Sequence, residues 1–451
     1  MNLLKDDPIK IFFKFLIPAV LSAIAIATYS IVDTIVIGQK VGPDGTAACA
    51  VLLPIFSLAH FVDLICGIGG SVLMSKSRGE GNNEKANAYY ASSFILVLFV
   101  TLIMWILLLI FQKDVYLMQG VEDTIFNYAY EYGSWIVYAL PAFILVPYLG
   151  AFIRTDGSPN IVMFVTLIGG VVNIIGDIVF VFPLNMGMDG AGIATALGSI
   201  TQLIILVLYI LLKKTNLHFT KPSNLIKACS KIIKLGFGAG LSQIAMTVLL
   251  FSMNNQIMKY SGENALAVYG FLSVITSLFS SIFLGIGQAS QPIVSANFGA
   301  GNKERYEKVG RVGLLTAFIF GTLFLLICLI IPIPIAKAFM KVTPEINAIV
   351  PYIVRVYSIS FLPMAINLFV ISFFQSIKNE SKATIIQVLR GFILPLLLLY
   401  TLPLLIEGSG IWWSIAIAEL ITALFSYLTI KKVFIKNKSY IKNLLAIIFK
   451  D

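Results

Sequence analysis

Charge is scarce in this chain, histidine is nearly absent and cysteine is sparse. Only 12% of the 451 residues are charged, against 58% hydrophobic. That balance excludes an ordinary soluble domain and puts the chain in the membrane class. His60 and His218 are the only histidines, and Cys49, Cys66, Cys229 and Cys328 show no Cys-x-x-Cys spacing. Neither a disulfide framework nor a zinc-type site is therefore expected. The Gly-x-x-x-x-Gly-Lys spacing of a phosphate loop is missing, so ATP is not the expected driver. Neither His-Glu-x-x-His nor Gly-x-Ser-x-Gly occurs, which leaves a membrane enzyme without a convergent catalytic set.

What is present is a series of apolar stretches, each near the ~20 residues that a helix needs to cross a bilayer. They fall at 11–37, 46–75, 88–112, 126–153, 160–183, 190–212, 233–258, 265–295, 310–332, 348–377, 384–406 and 411–430. The expected fold is an all-α integral membrane protein of twelve transmembrane helices. Lys and Arg crowd the connections on one side, with only Lys40, Lys113, Lys259, Lys337, Lys341 and Arg355 on the other. By the positive-inside rule both termini are cytoplasmic. The net charge of +10 is then a topology signal, and no nucleic-acid partner is expected. Asp6, Asp7 and Pro8 precede a long first apolar segment without a small-residue cleavage site, so the first span is expected to be retained.

The two halves repeat one another. Gly67-Ile68-Gly69 reappears as Gly285-Ile286-Gly287, and Gly79-Glu80-Gly81-Asn82-Asn83-Glu84-Lys85 lines up with Gly299-Ala300-Gly301-Asn302-Lys303-Glu304-Arg305. Both copies follow the second span of their half and fall on the same side, which is a parallel repeat of six spans. The chain divides into a six-helix bundle at 1–212, a cytoplasmic linker at 213–232 with Pro222, a second six-helix bundle at 233–430 and a cytoplasmic tail at 431–451. In the tail, Ile441, Leu444, Leu445, Ile447 and Ile448 among lysines suit either an interfacial amphipathic helix or a solvated end.

Within the spans, acids stand out because a carboxylate at bilayer depth costs ~2.5–3.5 kcal/mol on insertion scales and is seldom kept without something to handle. Asp33 lies in the first span and Asp177 in the fifth, with Asn173 one helical turn before it on the same face. His60 and Asp63 form an i, i+3 pair in the second span, suited equally to a proton relay and to a structural ion pair. Glu419 lies in the twelfth span beside Trp412 and Trp413. Gln243, Asn254 and Asn255 in the seventh span and Gln288 and Gln291 in the eighth are candidates for substrate contact. Pro18 removes a helix hydrogen bond, giving either a hinge or a fixed kink.

Together, Pro18, Val32-Asp33-Thr34, the paired Gly-x-Gly-Asn loops, Arg154-Thr155-Asp156-Gly157, Asn173-x-x-x-Asp177, Thr195, Arg390 with Pro395, and Glu419 resemble the multidrug and toxic compound extrusion (MATE) family. The set is most similar to its prokaryotic DinF-like branch, because the intramembrane acids sit mainly in the first half. The resemblance implies two pseudo-symmetric six-helix bundles around a V-shaped cavity, and antiport of amphipathic or cationic organic compounds against H⁺ or Na⁺. It implies a cation or proton site of Asp33, Asn173, Asp177 and Thr195, with no other cofactor or metal, and a monomer in a bacterial plasma membrane with organic compounds and lipid as its partners. The chain departs from the pattern at Gly176-Asp177-Ile178, where related proteins often have Leu-Asp-Pro. The alternatives are a lipid-linked saccharide flippase of the same broad superfamily, which would favour a basic centre, and a non-transporting receptor or scaffold.

Overall fold

The structure, a computed structural model, describes residues 2–119, 123–212, 215–221, 224–339 and 342–434. Its spans are α1 (Pro8–Lys40), α2 (Asp44–Gly79), α3 (Asn83–Leu117), α4 (Thr124–Tyr138 and Leu140–Thr155), α5 (Pro159–Val181), α6 (Gly187–Leu211), α7 (Leu225–Gly262), α8 (Asn264–Gly299), α9 (Lys303–Ile330), α10 (Pro344–Ser376), α11 (Glu380–Ile406) and α12 (Ser409–Lys431). The two pieces of α4 meet at a 51° bend, and counting them as one span gives the twelve that the apolar runs imply. A short helix, Pro332–Phe339, precedes α10. Pro222, Lys213, Lys214, Lys341 and the tail segment Ile441 to Ile448 lie outside the described residues.

The repeated loop motif is turn and cap chemistry. Gly81 and Gly301 hold φ of 78° and 72°, the left-handed region that costs glycine nothing. The Asn82 side chain accepts from the Lys85 N–H at 2.8 Å and so caps α3, supplying a partner to a backbone donor that the helix cannot satisfy itself. Glu84 and Glu304 stand in the first turns of α3 and α9, where the helix dipole favours an acid. Glu80 accepts from Lys85 at 3.0 Å and pairs with Lys76 at 3.4 Å, and chiefly the Lys85 bond holds its carboxyl below the usual range.

α1 and α7 each belong to both halves. Near its start, Ile11, Phe12, Phe15 and Leu16 of α1 are buried in one core with Phe283, Ile286 and Ile293 of α8. Near its end, Val36 and Ile37 join a core with Leu52, Ile136 and Val137 of the first half. The start of α1 is fastened to the α8–α9 turn, where Asn297 donates to the Leu3 carbonyl at 3.0 Å and Arg305 donates to the Asp6 carbonyl. α7 makes the reciprocal crossing. Ile232 and Leu235 pack with Val72, Leu73 and Tyr89 of the first half, while Met253 and Ile257 pack with Ala265 and Val354 of the second. Pro18 lies in the part of α1 docked on the second half, buried, and α1 runs through it without a break.

The halves close on each other at the end that carries the basic loops. Ser75 donates to the Pro292 carbonyl at 3.1 Å across the seam. Gly79 lies directly against the backbone of Ala296, and Gly299 against that of Lys76, so that a Cβ at either position would overlap a carbonyl. α2 also runs along α7, where Phe61 meets Phe237 edge to face at 6.3 Å between ring centres and Ser57 shares a hydrogen bond with Thr247 at 2.9 Å. The linker is strapped to the first half. Arg78 pairs with Asp156 at 2.6 Å and donates to the Asn216 carbonyl at 3.1 Å, while Asp156 accepts from the Asn216 N–H at 2.9 Å.

The seam's dependence on bare glycine gives a first prediction. Gly79→Val and Gly299→Val each overpack it at a cost of about 1–3 kcal/mol. A cysteine placed at the buried Ser75 should then react faster with a maleimide than in the glycine background; unchanged labelling in both variants would show that the two helices do not depend on this contact.

Candidate functional site

The spans bring α1, α4, α5 and α6 together around four polar side chains. Tyr132 of α4 donates to Asp33 Oδ2 at 3.3 Å, Thr195 of α6 donates to Asp33 Oδ1 at 3.5 Å, and Asn173 of α5 donates to Thr195 at 3.2 Å. Tyr132 and Thr195 are also 3.5 Å apart. Asp33, Asn173 and Thr195 therefore form one network. Tyr132 joins it without having been singled out from the sequence, though a buried tyrosine hydroxyl needs a partner and a nearby acid is the natural one.

Asp177 is different. It is fully buried, and among the described residues neither carboxylate oxygen has a hydrogen-bond partner; the Asn173 side-chain carbonyl is likewise without one. Asp177 opens a π turn, Asp177–Val181, that interrupts the α-helix after Gly176. Such a turn shifts the helical register and re-aims the side chains within it. The departure from Leu-Asp-Pro at Gly176-Asp177-Ile178 thus falls where the helix changes form. Both acids stand within about two turns of the ends of their helices, closer to the end opposite the basic loops than the mid-span placement expected from the sequence. The unpartnered oxygens on α5 form an acceptor-only cluster, the donor set that a proton or a small hard cation would complete.

The second half has its own acid, and it is satisfied. Glu419 of α12 pairs with Arg390 of α11 at 2.7 Å and accepts from Asn367 of α10 at 2.8 Å, while Ser426 donates to Asn367 Oδ1 at 2.8 Å. Arg390 stands in a second π turn, Leu389–Ile393, nearer the start of α11 than Asp177 is to the start of α5. Asn367 and Ser426 gave no sequence signal beyond their polarity. Glu419, a candidate for coupling or substrate contact, stands here in an ion pair with Arg390 and accepts from Asn367.

His60 and Asp63 do pair, at 2.9 Å, with His60 half exposed and Asp63 buried. Beneath them is a polar cavity of about 70 Å³ lined from the first half by Asp63, Arg154 and Thr155 and from the second by Gln288 and Gln291. Gln291 also donates to Ser71 across the seam at 3.2 Å. The expected glutamines of α8 are therefore brought to the meeting of the halves. Gln243, Asn254 and Asn255 are not among the residues that line this cavity, and Asn255 is exposed. Among the described residues no group of three or more His, Cys, Asp or Glu side chains is arranged to hold a metal ion.

An all-helical membrane chain built as two halves, closed at one end and carrying an uncompensated buried acid, is a membrane transporter by architecture. Its family follows from the family model MatE, which matches twice, at residues 18–179 and 239–401; the chain belongs to the MatE family, whose members are transporters and not enzymes. It is similar to the multidrug export protein MepA of Staphylococcus saprophyticus subsp. saprophyticus, 25% identical with 94% of each chain covered. It is also similar to the probable multidrug resistance protein YoeA of Bacillus subtilis, 23% identical with 72% of each chain covered. Among solved structures, the outward-facing conformation of a multidrug resistance MATE family transporter of the MOP superfamily matches with a TM-score of 0.89 at 22% identity, over 96% of this chain and 98% of that one.

The contrast between the two acids gives the second prediction. Arg390→Met leaves Glu419 buried beside a lost cation and should cost about 3–5 kcal/mol, whereas the double variant Arg390→Met/Glu419→Met should recover most of it. Thermal unfolding of the purified proteins in detergent reads both. Equal melting temperatures for wild type and the single variant would mean that the pair carries no weight.

Proposed function

We propose that this protein exports amphipathic or cationic organic compounds by alternating access, driven by H⁺ or Na⁺ moving inward through Asp33, Asn173, Asp177 and Thr195. The observation that carries the reading is Asp177, buried with both carboxylate oxygens unpartnered. An ionised carboxylate in such a place costs several kcal/mol, so the site is tolerable only when a proton or cation neutralises it. Asp33 then serves as the second acid, its orientation set by Tyr132 and Thr195. Neutralising and re-charging this cluster alters what the end of α1 meets on α4, α5 and α6, while the start of the same helix stays docked on the second half. Pro18, in that docked part near its end, is the position at which α1 would flex.

With both termini in the cytoplasm, a seam closed at the basic loops corresponds to a cavity between the halves open to the outside, the state in which an exporter releases its compound and takes up its ion. The location is a bacterial plasma membrane and the working unit a monomer. The confinement of uncompensated acid to the first half supports placement in the DinF-like branch. It also weighs against a saccharide-lipid flippase, whose anionic cargo would call for free cations at the centre. Na⁺ as the coupling ion would draw on the acceptor oxygens of Asp33, Asn173, Asp177 and Thr195; H⁺ needs the carboxylates alone.

Reconstituted wild type and Asp177→Asn, followed by ethidium movement under a pH gradient and then under a Na⁺ gradient, tests this directly. One gradient should drive movement in the wild type. In the variant that movement should fall about 5- to 150-fold, the span of typical coupling between two sites. A variant that keeps wild-type rates would remove Asp177 from the mechanism, and folded wild type that moves no dye under either gradient would remove export of this class.

A further inference from the structure

A second cavity lies away from the acids. It is a groove of about 790 Å³ between α3 and α7, lined by Ile95, Leu96 and Phe99 on one wall and by Ile226, Ile233 and Phe237 on the other, with Cys229, Ser230 and Lys234 also lining it. Its apolar walls are largely exposed, so it opens outward to the bilayer and away from the cleft. α7 crosses to the first half along this groove, and behind it Ile232 and Leu235 are buried against Val72, Leu73 and Tyr89.

Charge flanks one side only. At 100° per residue, Lys227, Lys231 and Lys234 fall in a stripe beside the face formed by Ile226, Ser230, Ile233 and Phe237. Lys234 lies about 14 Å along α7 from its start, at 1.5 Å per residue, close enough for its flexible stem to reach the headgroup level of the leaflet on the basic side. Lys231 also lies near the turn between α10 and α11: burial first, and then the nearness of Lys76 and Lys231, lowers the Lys378 ammonium from its ordinary value. An apolar trough at acyl-chain depth edged by cations matches one molecule in both parts.

We propose that this groove binds an anionic phospholipid of the leaflet on the basic side, its acyl chain between α3 and α7 and its phosphate against Lys227, Lys231 and Lys234. The lipid braces the crossing segment of α7 against the first half and so favours the state in which the seam is closed. The site is independent of which compound is exported or which ion drives export, and stands or falls apart from that reading.

Cys229 lines the groove and reports on its occupancy. The full chain is placed in nanodiscs of phosphatidylcholine alone, or of phosphatidylcholine with an equal part of phosphatidylglycerol. Alkylation of Cys229 by N-ethylmaleimide is followed by peptide mass spectrometry, and retained lipid is counted by native mass spectrometry. Phosphatidylglycerol should slow alkylation and be retained in preference to phosphatidylcholine. Lys227→Gln/Lys231→Gln/Lys234→Gln should lose that preference by about fivefold per lysine, the usual worth of a basic residue near an anionic surface. Its alkylation in phosphatidylcholine alone should match the wild type. Ser230→Phe, which fills the groove and keeps the lysines, should lose protection as well. Equal retention of the two lipids by the wild type overturns the proposal. So does slowing by phosphatidylglycerol that persists in the lysine variant, since that is a surface effect without a site. Protection of Cys229 by ethidium in phosphatidylcholine, with none by phosphatidylglycerol, would instead make the groove part of the compound's path.

Discussion

Placing Asp177 where no donor reaches either carboxylate oxygen imposes a condition on the rest of the first half. In water such a group would be solvated at no cost. Buried between helices, its charged form is several kcal/mol out of balance, which the proposed arrival of a proton or cation would relieve. Asn173, one turn away, donates its amide N–H to Thr195, and its carbonyl oxygen has no partner among the described residues, so it adds an acceptor to the site and spends its donor elsewhere.

The second half shows the same problem solved the other way. Glu419 is also buried, but it is given a guanidinium at 2.7 Å and an amide at 2.8 Å, and the amide is itself held by Ser426. A carboxylate so compensated gains little from a passing proton or cation, because each of its partners would first have to be released. A π turn interrupts each of two corresponding spans, α5 and α11, but one presents an orphan acid and the other a paired base. Two halves of common design thus differ in what they place at these turns, and the proposed exchange falls to the first half.

Much of this was legible in the sequence, for identifiable reasons. Span positions follow from apolar length, because lipid leaves a helix as the simplest way to satisfy its backbone, and Asp33, Asn173 and Asp177 stood out because polar groups are expensive there, while Thr195 came from the family resemblance. The Gly-x-Gly-Asn loops stood out as a repeat, and Gly81 and Asn82 act as helix terminator and cap. What spacing could not give was partnership. Tyr132 and Asn367 are ordinary residues in one dimension and become site members only when α4 packs on α6 and α10 on α12. The same limit holds for Glu419, whose pairing with Arg390 and Asn367 spacing alone did not give.

The crossing helices connect the site to the seam. α1 begins in the core of the second half and ends in the core of the first, and Asp33 lies on the stretch that has already changed sides. On the proposed function, a change in how tightly Asp33 is held moves that stretch while the start of α1 stays docked on α8, and α8 is the helix that closes the seam against α2. α7 repeats the arrangement in the opposite sense, its start buried on the first half and its end on the second. With two struts crossing between the halves, neither half can tilt without moving both. That geometry favours two discrete packings over a continuum, since a close-packed interface such as that of Gly79 with Ala296 is either made or broken.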